Sequence, residues 1–205
     1  DPATGLTSPA SWRIADGRTE VTVPLDRLGS VFVVFRKPAA GGGQEQPAPA
    51  IETRATLTGP WEVAFQPDRG APAKATFAQL ADFRDNADPG IRYFSGIATY
   101  PKDVTVAAAD LGGGKRVWLD LGQVHELAEV WVNGKLAGTA WKPPYRVDIT
   151  DAARPGRNRV EIRAVNLWVN RLIGDVQPNN PRKITFTAAD GKIAADVPPE
   201  QAARE

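Results

Sequence analysis

The stretch Val165 to Asp175 reads VNLWVNRLIGD, which sets a Trp, two Asn, an Arg and an Asp directly after a run that alternates apolar and charged residues. These side-chain types are suited to saccharides. A pyranose offers a C–H face that stacks on Trp or Tyr, and hydroxyls that Asn, Asp and Arg bind in bidentate fashion. Candidates for such contacts, or for a domain interface, are Asn166, Trp168, Asn170, Arg171 and Asp175, with Trp141, Lys142 and Tyr145 from an upstream turn. The same residues also fit a plainer role, in which Trp141 and Trp168 fill a core or domain interface and the Asn side chains cap turns. Residue types alone leave both roles open.

Other chemistries find less material. Nucleophilic catalysis needs a nucleophile, a base within reach and a group that orients the base. His125 is the only histidine, Cys is absent, and Ser95, in YFSGI, lacks the G-x-S-x-G elbow. A zinc site built on nitrogen and sulfur fails on the same count. Asp82, Asp85 and Asp88, in DFRDNADPG, offer oxygen for calcium but lack the EF-hand spacing and its closing Glu, and read better as a solvated turn. The string GGGKR, Gly112 to Arg116, lacks the spacing and the Ser/Thr of a phosphate loop and leads into a strand. Glycoside hydrolysis needs two carboxylates roughly 5 to 10 Å apart. Glu126, Glu129, Asp148, Glu161 and Asp175 fall near strand ends or on exposed faces, yet nothing selects an acid and a nucleophile among them. The chain is therefore expected to be non-catalytic and to carry no cofactor or resident metal.

The elements that must position these residues read as β-structure. Gly and Pro number 19 and 18 in 205 residues, and most fall between short alternating runs. TEVTVPL and SVFVVFR are expected strands, the second apolar on both faces as if it lay under a neighbouring layer. Lys37 to Ala50 is poor in bulky apolar residues and reads as a linker or long loop. GPWEVAF opens a second β unit, and TFAQLADF is expected to form a helical turn. IRYFSGIATYPKDVTV is expected to be extended and broken near Gly96 or Pro101, and RVWLDLG to place Val117, Leu119 and Leu121 on one face and Trp118 and Asp120 on the other. In LAEVWVNGKLAGTAW, Asn133-Gly134 supplies the two positive-φ residues of a type I′ hairpin turn. YRVDIT and NRVEIRAVN complete about eight short strands, which predicts an all-β antiparallel sandwich of the jelly-roll kind. Residues 1–36 are expected to end an upstream β domain, 37–50 to link, 51–177 to form the jelly roll, and 178–205 to extend it with one strand, KITFTA, and a mobile end.

Composition excludes several partners. The net charge of +1 leaves no basic stripe for nucleic acid or an anionic membrane surface, and no apolar run approaches the ~20 residues of a spanning helix. The absence of Cys excludes disulfides without fixing a compartment. A first residue other than Met, in DPATG, is expected of a piece cut from a longer chain.

The strings AEVWVNGK, WKPPYRVDIT and NLWVNRLIGD resemble the galactose-binding-like jelly roll near the C-terminus of α-L-rhamnosidases of glycoside hydrolase family 106. VWVNG and DIT also resemble, more weakly, the sugar-binding domain of β-galactosidase-like enzymes, and GSVFVVFR resembles the end of the β domain before the jelly roll. In such enzymes the catalytic carboxylates lie on an upstream barrel. The resemblance thus implies an accessory domain whose partners are that barrel and a rhamnose-containing carbohydrate, in an extracellular or periplasmic setting. It also implies that LWVNRLIGD is a loop at the active-site rim, which marks the eight candidates above as rim or interface residues.

Overall fold

A computed structural model of the chain describes residues 1–2, 5–38 and 41–178, together with the backbone of 185–187 and 193–195. The chain divides into two compact units, Asp1–Thr56 and Leu57–Glu205.

The first unit holds a three-stranded sheet in the order β2-β1-β3, with β1 at Ser11–Ala15, β2 at Arg18–Thr22 and β3 at Gly43–Gln44. Asp16 and Gly17, at φ 50° and 72°, make the tight turn between β1 and β2, and Arg13 pairs across it with Glu20 at 2.6 Å. The short β3 lies within the stretch read above as linker and pairs with β1 at Trp12 and Arg13. The strand expected over Val31–Phe35 does not form: these residues have no regular structure, and Phe32 and Phe35 are 79% and 70% exposed. A strand apolar on both faces needs hydrogen-bonded neighbours and two covering layers, and the described residues supply neither.

The second unit is built on a six-stranded antiparallel sheet in the order β5-β4-β6-β11-β8-β9. Its strands are β4 Trp61–Phe65, β5 Lys74–Phe77, β6 Gly96–Val106, β8 Leu127–Val132, β9 Lys135–Ala140 and β11 Gly156–Asn166. A second, two-stranded sheet pairs β7, Trp118–Asp120, with β10, Arg146–Asp148. The antiparallel all-β expectation holds. Residues at alternate positions of β4 (Trp61, Val63, Phe65), β8 (Ala128, Val130, Val132) and β11 (Val160, Ile162) turn to one face, as a pleated strand requires. On that face Trp61, Val63, Phe65, Ile91, Phe94 and Ala98 form one core cluster, and Val130, Val132, Ala140, Val147, Ile149 and Val160 form another. Leu119 and Leu121 close the second cluster from the smaller sheet while Trp118 points outward, as the alternation in RVWLDLG requires.

The hairpin expected at Asn133-Gly134 is present, with φ of 52° and 80° between β8 and β9. Its anchor was not legible in sequence. Asn158, 1% exposed, accepts from Asn133 Nδ2 at 2.8 Å and Arg154 N at 2.8 Å and donates to the carbonyls of Arg154 and Gly156 at 2.8 and 2.9 Å, stitching the hairpin to the turn before β11.

Two expected segments differ in part, and of the two break points foreseen the one near Gly96 is present, since the extended run starts there. The segment around Ile91 begins as a short helix, α1 at Pro89–Arg92, with Asp88 capping Gly90 N at 2.8 Å. β6 then runs unbroken through Pro101, because β4 pairs with it only at Ala98 and Thr99 and that ladder has ended before the residue without an N–H. In TFAQLADF, Thr76 and Phe77 belong to β5, and the helical turn comes later, as a 3-10 turn over Phe83–Asp85 capped by Asp82. Within KITFTA, β12 at Thr185–Thr187 pairs with β13 at Ile193–Ala195; the end expected to be mobile lies outside the described residues.

Candidate functional site

Ala98, Ala164, Ala128 and Ala140 stand side by side across β6, β11, β8 and β9. That register fixes which residues leave the sheet at its edge. Ser95 precedes β6, Asn166 ends β11, and Trp141 follows β9 two strands away, at about 4.8 Å per strand. The candidate residues are thus gathered at one end of the larger sheet.

The stretch expected to be a rim loop is a helix, α2 at Trp168–Asp175. Its own N-cap residue, Leu167, makes no side-chain cap. The hydroxyl of Ser95 takes that role from outside: it donates to Leu167 O at 2.6 Å and accepts from Arg171 N at 2.9 Å. Ser95 is thus buried and committed to α2, while His125 is exposed on another segment. Asn170 Nδ2 donates to Arg92 O at 2.7 Å and Phe94 O at 3.1 Å, and Asn166 Nδ2 donates to Phe94 O at 2.7 Å. Carbonyls at the end of a helix such as α1 lack intrahelical partners, and these two amides satisfy them.

Arg171 and Asp175, one helical turn apart, form an ion pair at 2.9 Å with side chains only 5% and 6% exposed. The guanidinium lies 6.0 Å from the Tyr93 ring centre. Gly174 packs so closely that a Cβ there would collide with Arg171 Nη2 and with Tyr93 Cβ, so no other residue fits. Asn166, Asn170, Arg171 and Asp175 therefore form one internal cluster with Ser95. The Asn166 and Asn170 amides are spent inside the domain, and the pair Arg171 and Asp175, placed by sequence at a sugar rim or interface, is buried within it, with Arg171 Nε beside Asp175 Oδ1 but outside hydrogen-bond geometry.

What faces outward is apolar. Val169, Ile173 and Val176, at i, i+4 and i+7, are 60%, 48% and 78% exposed, and Leu167 and Trp168 extend the same surface. An ordinary surface helix buries its apolar stripe and shows its charges to water. In α2 the arrangement is inverted. The spacing of Val169, Ile173 and Val176 was the available signal for a helix here, masked by the polar residues between them.

The remaining candidates sit at the same sheet end in different settings. Trp141 is exposed, with Lys142 Nζ 5.9 Å from its ring centre, and Trp168 carries the Arg69 guanidinium at 4.8 Å. Tyr145 packs on the second core cluster, and its carbonyl accepts from Leu121 N at 2.8 Å. The acidic run is a capping device, as its turn reading holds: a side-chain hydrogen bond from Arg84, reinforced by Arg84 N, holds the Asp82 carboxyl below its usual range. Among the described residues no group of three His, Cys, Asp or Glu side chains is placed to hold a metal. Lys115 in GGGKR donates to Ala109 O at 2.8 Å, within a local turn.

Residues 85–186, a range that begins before α1 and reaches into β12, match the family model described as glycosyl hydrolase 2 galactose-binding domain-like. This segment is a galactose-binding-like domain of glycosidase type. A rhamnosidase from Novosphingobium sp. PP1Y has a similar structure, with a TM-score of 0.83 and 47% identity, over 97% of this chain and 19% of that one. A protein of Formosa agariphila named "Putative beta-glucuronidase" is 38% identical over 160 residues, 78% of this chain and 13% of that protein. The chain thus spans less than a fifth of either relative. The galactose-binding-like domain is, in both, one part of a much longer polypeptide.

Proposed function

We propose that this chain is the non-catalytic accessory sandwich of a rhamnosidase-like glycosidase, of the family 106 kind and C-terminal in its parent, and that α2 docks it on the upstream catalytic barrel. The observation that carries this reading is the inverted helix. Ser95 and Asn170 tie α2 to the domain by its polar side, where the Arg171–Asp175 pair is buried, and an apolar ridge of Leu167, Val169, Ile173 and Val176 is left outward. Burying those four against a partner is worth about 1 kcal/mol each, given that each is already partly covered. A 47% identity to a rhamnosidase of which the chain spans 19% supports a large partner within the same polypeptide. Trp141 and Trp168, with Lys142 and Tyr145 behind them, then border the contact, and a rhamnose-containing carbohydrate meets the domain at that rim. The parent works on polysaccharide and is placed outside the cytoplasm on the same reading.

The test uses the parent enzyme and the isolated chain together. Ile173→Asp leaves the isolated chain's stability within about 0.5 kcal/mol, since the position is exposed. In the parent it frees the domain from the barrel, seen as protease cleavage between them and lowered activity on rhamnosides. Unchanged activity and protease resistance in the parent variant would refute the docking surface. The purified chain alone releases no sugar; turnover abolished by changing one of its own acidic residues would refute the accessory role.

A further inference from the structure

The outer side of the two-stranded sheet carries a second aromatic site, unconnected with α2. In register, Trp118 and Asp120 of β7 stand opposite Asp148 and Arg146 of β10. Leu119 and Val147, between them, point inward to the core, so these four side chains share the outward face. Trp118 is 56% exposed there.

The other four tryptophans of the Leu57–Glu205 unit each have a cation over the ring: Lys102 on Trp61 at 4.6 Å, Arg163 on Trp131 at 4.4 Å, Lys142 on Trp141 at 5.9 Å and Arg69 on Trp168 at 4.8 Å. Trp118 has none among the described residues, although Arg116 and Arg146 are its neighbours. Both are held elsewhere, Arg146 Nε by Asp120 Oδ2 at 2.7 Å and Arg116 Nε by Asp148 Oδ2. The carboxylates are pinned in turn. Asp148 Oδ1 accepts from Thr150 N at 2.9 Å and Thr150 Oγ1 at 2.6 Å, and Asp120 Oδ1 accepts from Gly122 N at 2.9 Å. The result is a bare indole face flanked by two Arg–Asp pairs of zero net charge, with donors and acceptors fixed before any ligand arrives.

We propose that this face binds a neutral pyranoside, its C–H face stacked on Trp118 and its hydroxyls bonded by Asp120, Arg146 and Asp148. Because Arg116 and Arg146 are each already paired with a carboxylate, the face has no net charge to draw a uronate and suits a neutral sugar. The proposal does not depend on the docking of α2, and its test leaves α2 untouched.

Indole N–H resonances of the chain are followed by NMR while methyl α-L-rhamnoside, methyl β-D-galactoside or methyl β-D-glucuronide is added to about 100 mM, which reaches the weak range of single-sugar sites. A neutral glycoside shifts the Trp118 resonance saturably, and Trp118→Ala abolishes saturation at the backbone signals of Asp120 and Asp148. Trp141→Ala and Trp168→Ala leave the Kd unchanged, and Arg146→Ala weakens it about tenfold, the effect of one charge-assisted hydrogen bond. The site is refuted if neither neutral glycoside saturates any signal, if saturation survives Trp118→Ala, or if the glucuronide binds more tightly. Acrylamide quenching of the parent enzyme is the second measurement: Trp118 should stay accessible there, and a ring shielded by protein would equally overturn the proposal.

Discussion

Deleting one partner of the Arg171–Asp175 pair should cost far more than deleting both. The two side chains are 5% and 6% exposed and 2.9 Å apart, so water cannot replace either partner. An exposed pair would contribute about 0–1 kcal/mol. Here Arg171→Met takes from a buried carboxylate the guanidinium beside it, and Asp175→Leu takes from a buried guanidinium the carboxylate beside it, and each should destabilise by about 3–5 kcal/mol. The double variant Arg171→Met/Asp175→Leu removes both charges at similar volume and should lie within about 1 kcal/mol of the unaltered chain. The implied coupling is at least about 3 kcal/mol, well beyond the additivity error of a double-mutant cycle. Urea unfolding followed by tryptophan fluorescence measures it, since five of the six tryptophans lie in the Leu57–Glu205 unit. A single substitution costing less than about 1 kcal/mol, or a double costing the sum of the singles, would refute the internal clamp and return these residues to a rim role.

Asn158→Ala removes four short hydrogen bonds from a side chain with 1% exposure and strands the Arg154 N–H; urea unfolding should show a loss of about 2–4 kcal/mol, and a loss below about 1 would contradict the stitching role. Burial opposes the charge of Asp148, but hydrogen bonds from Thr150 and the Arg116 pair outweigh it and hold its carboxyl below the usual 3.8. Its stabilising effect is therefore full above the unfolded value and is lost as pH falls from there through the lower folded value, so Asp148→Asn should flatten the acid limb of the stability profile. Burial pushes the Tyr100 phenol from 10.0 up to about 12. Stability from its neutral form is complete below the unfolded value and is lost as pH rises toward the folded one, so its phenolate absorbance should emerge with alkaline unfolding and Tyr100→Phe should delay that unfolding.

The strands and turns of the second unit were legible because their signals are local. Alternation in RVWLDLG sorts Leu119 inward and Trp118 outward, and Asn133-Gly134 adopts the positive φ that its hairpin turn demands. Val31–Phe35 was misread for the same reason: its β-propensity is local, but a strand exists only when another backbone pairs with it. At α2 the polar residues were recognised and their direction was not. Asn170 looks like a ligand-binding group until the carbonyls of Arg92 and Phe94, more than seventy residues earlier, take its amide, and Ser95 holds the backbone N–H of Arg171 while the Arg171 and Asp175 side chains turn to each other.

The amino-acid sequence by itself determined an antiparallel β-fold, the hairpin, and the inward and outward faces of the strands that form in the second unit, since each follows from residue type and near-neighbour spacing. The tertiary structure alone decided which side of α2 meets water and which tryptophan keeps a bare ring. Both depend on partners distant in the chain, and a buried side or an uncovered indole is defined by what folding brings beside it, Ser95 and the carbonyls of Arg92 and Phe94 against α2, or Asp120 and Asp148 drawing the arginines away from Trp118.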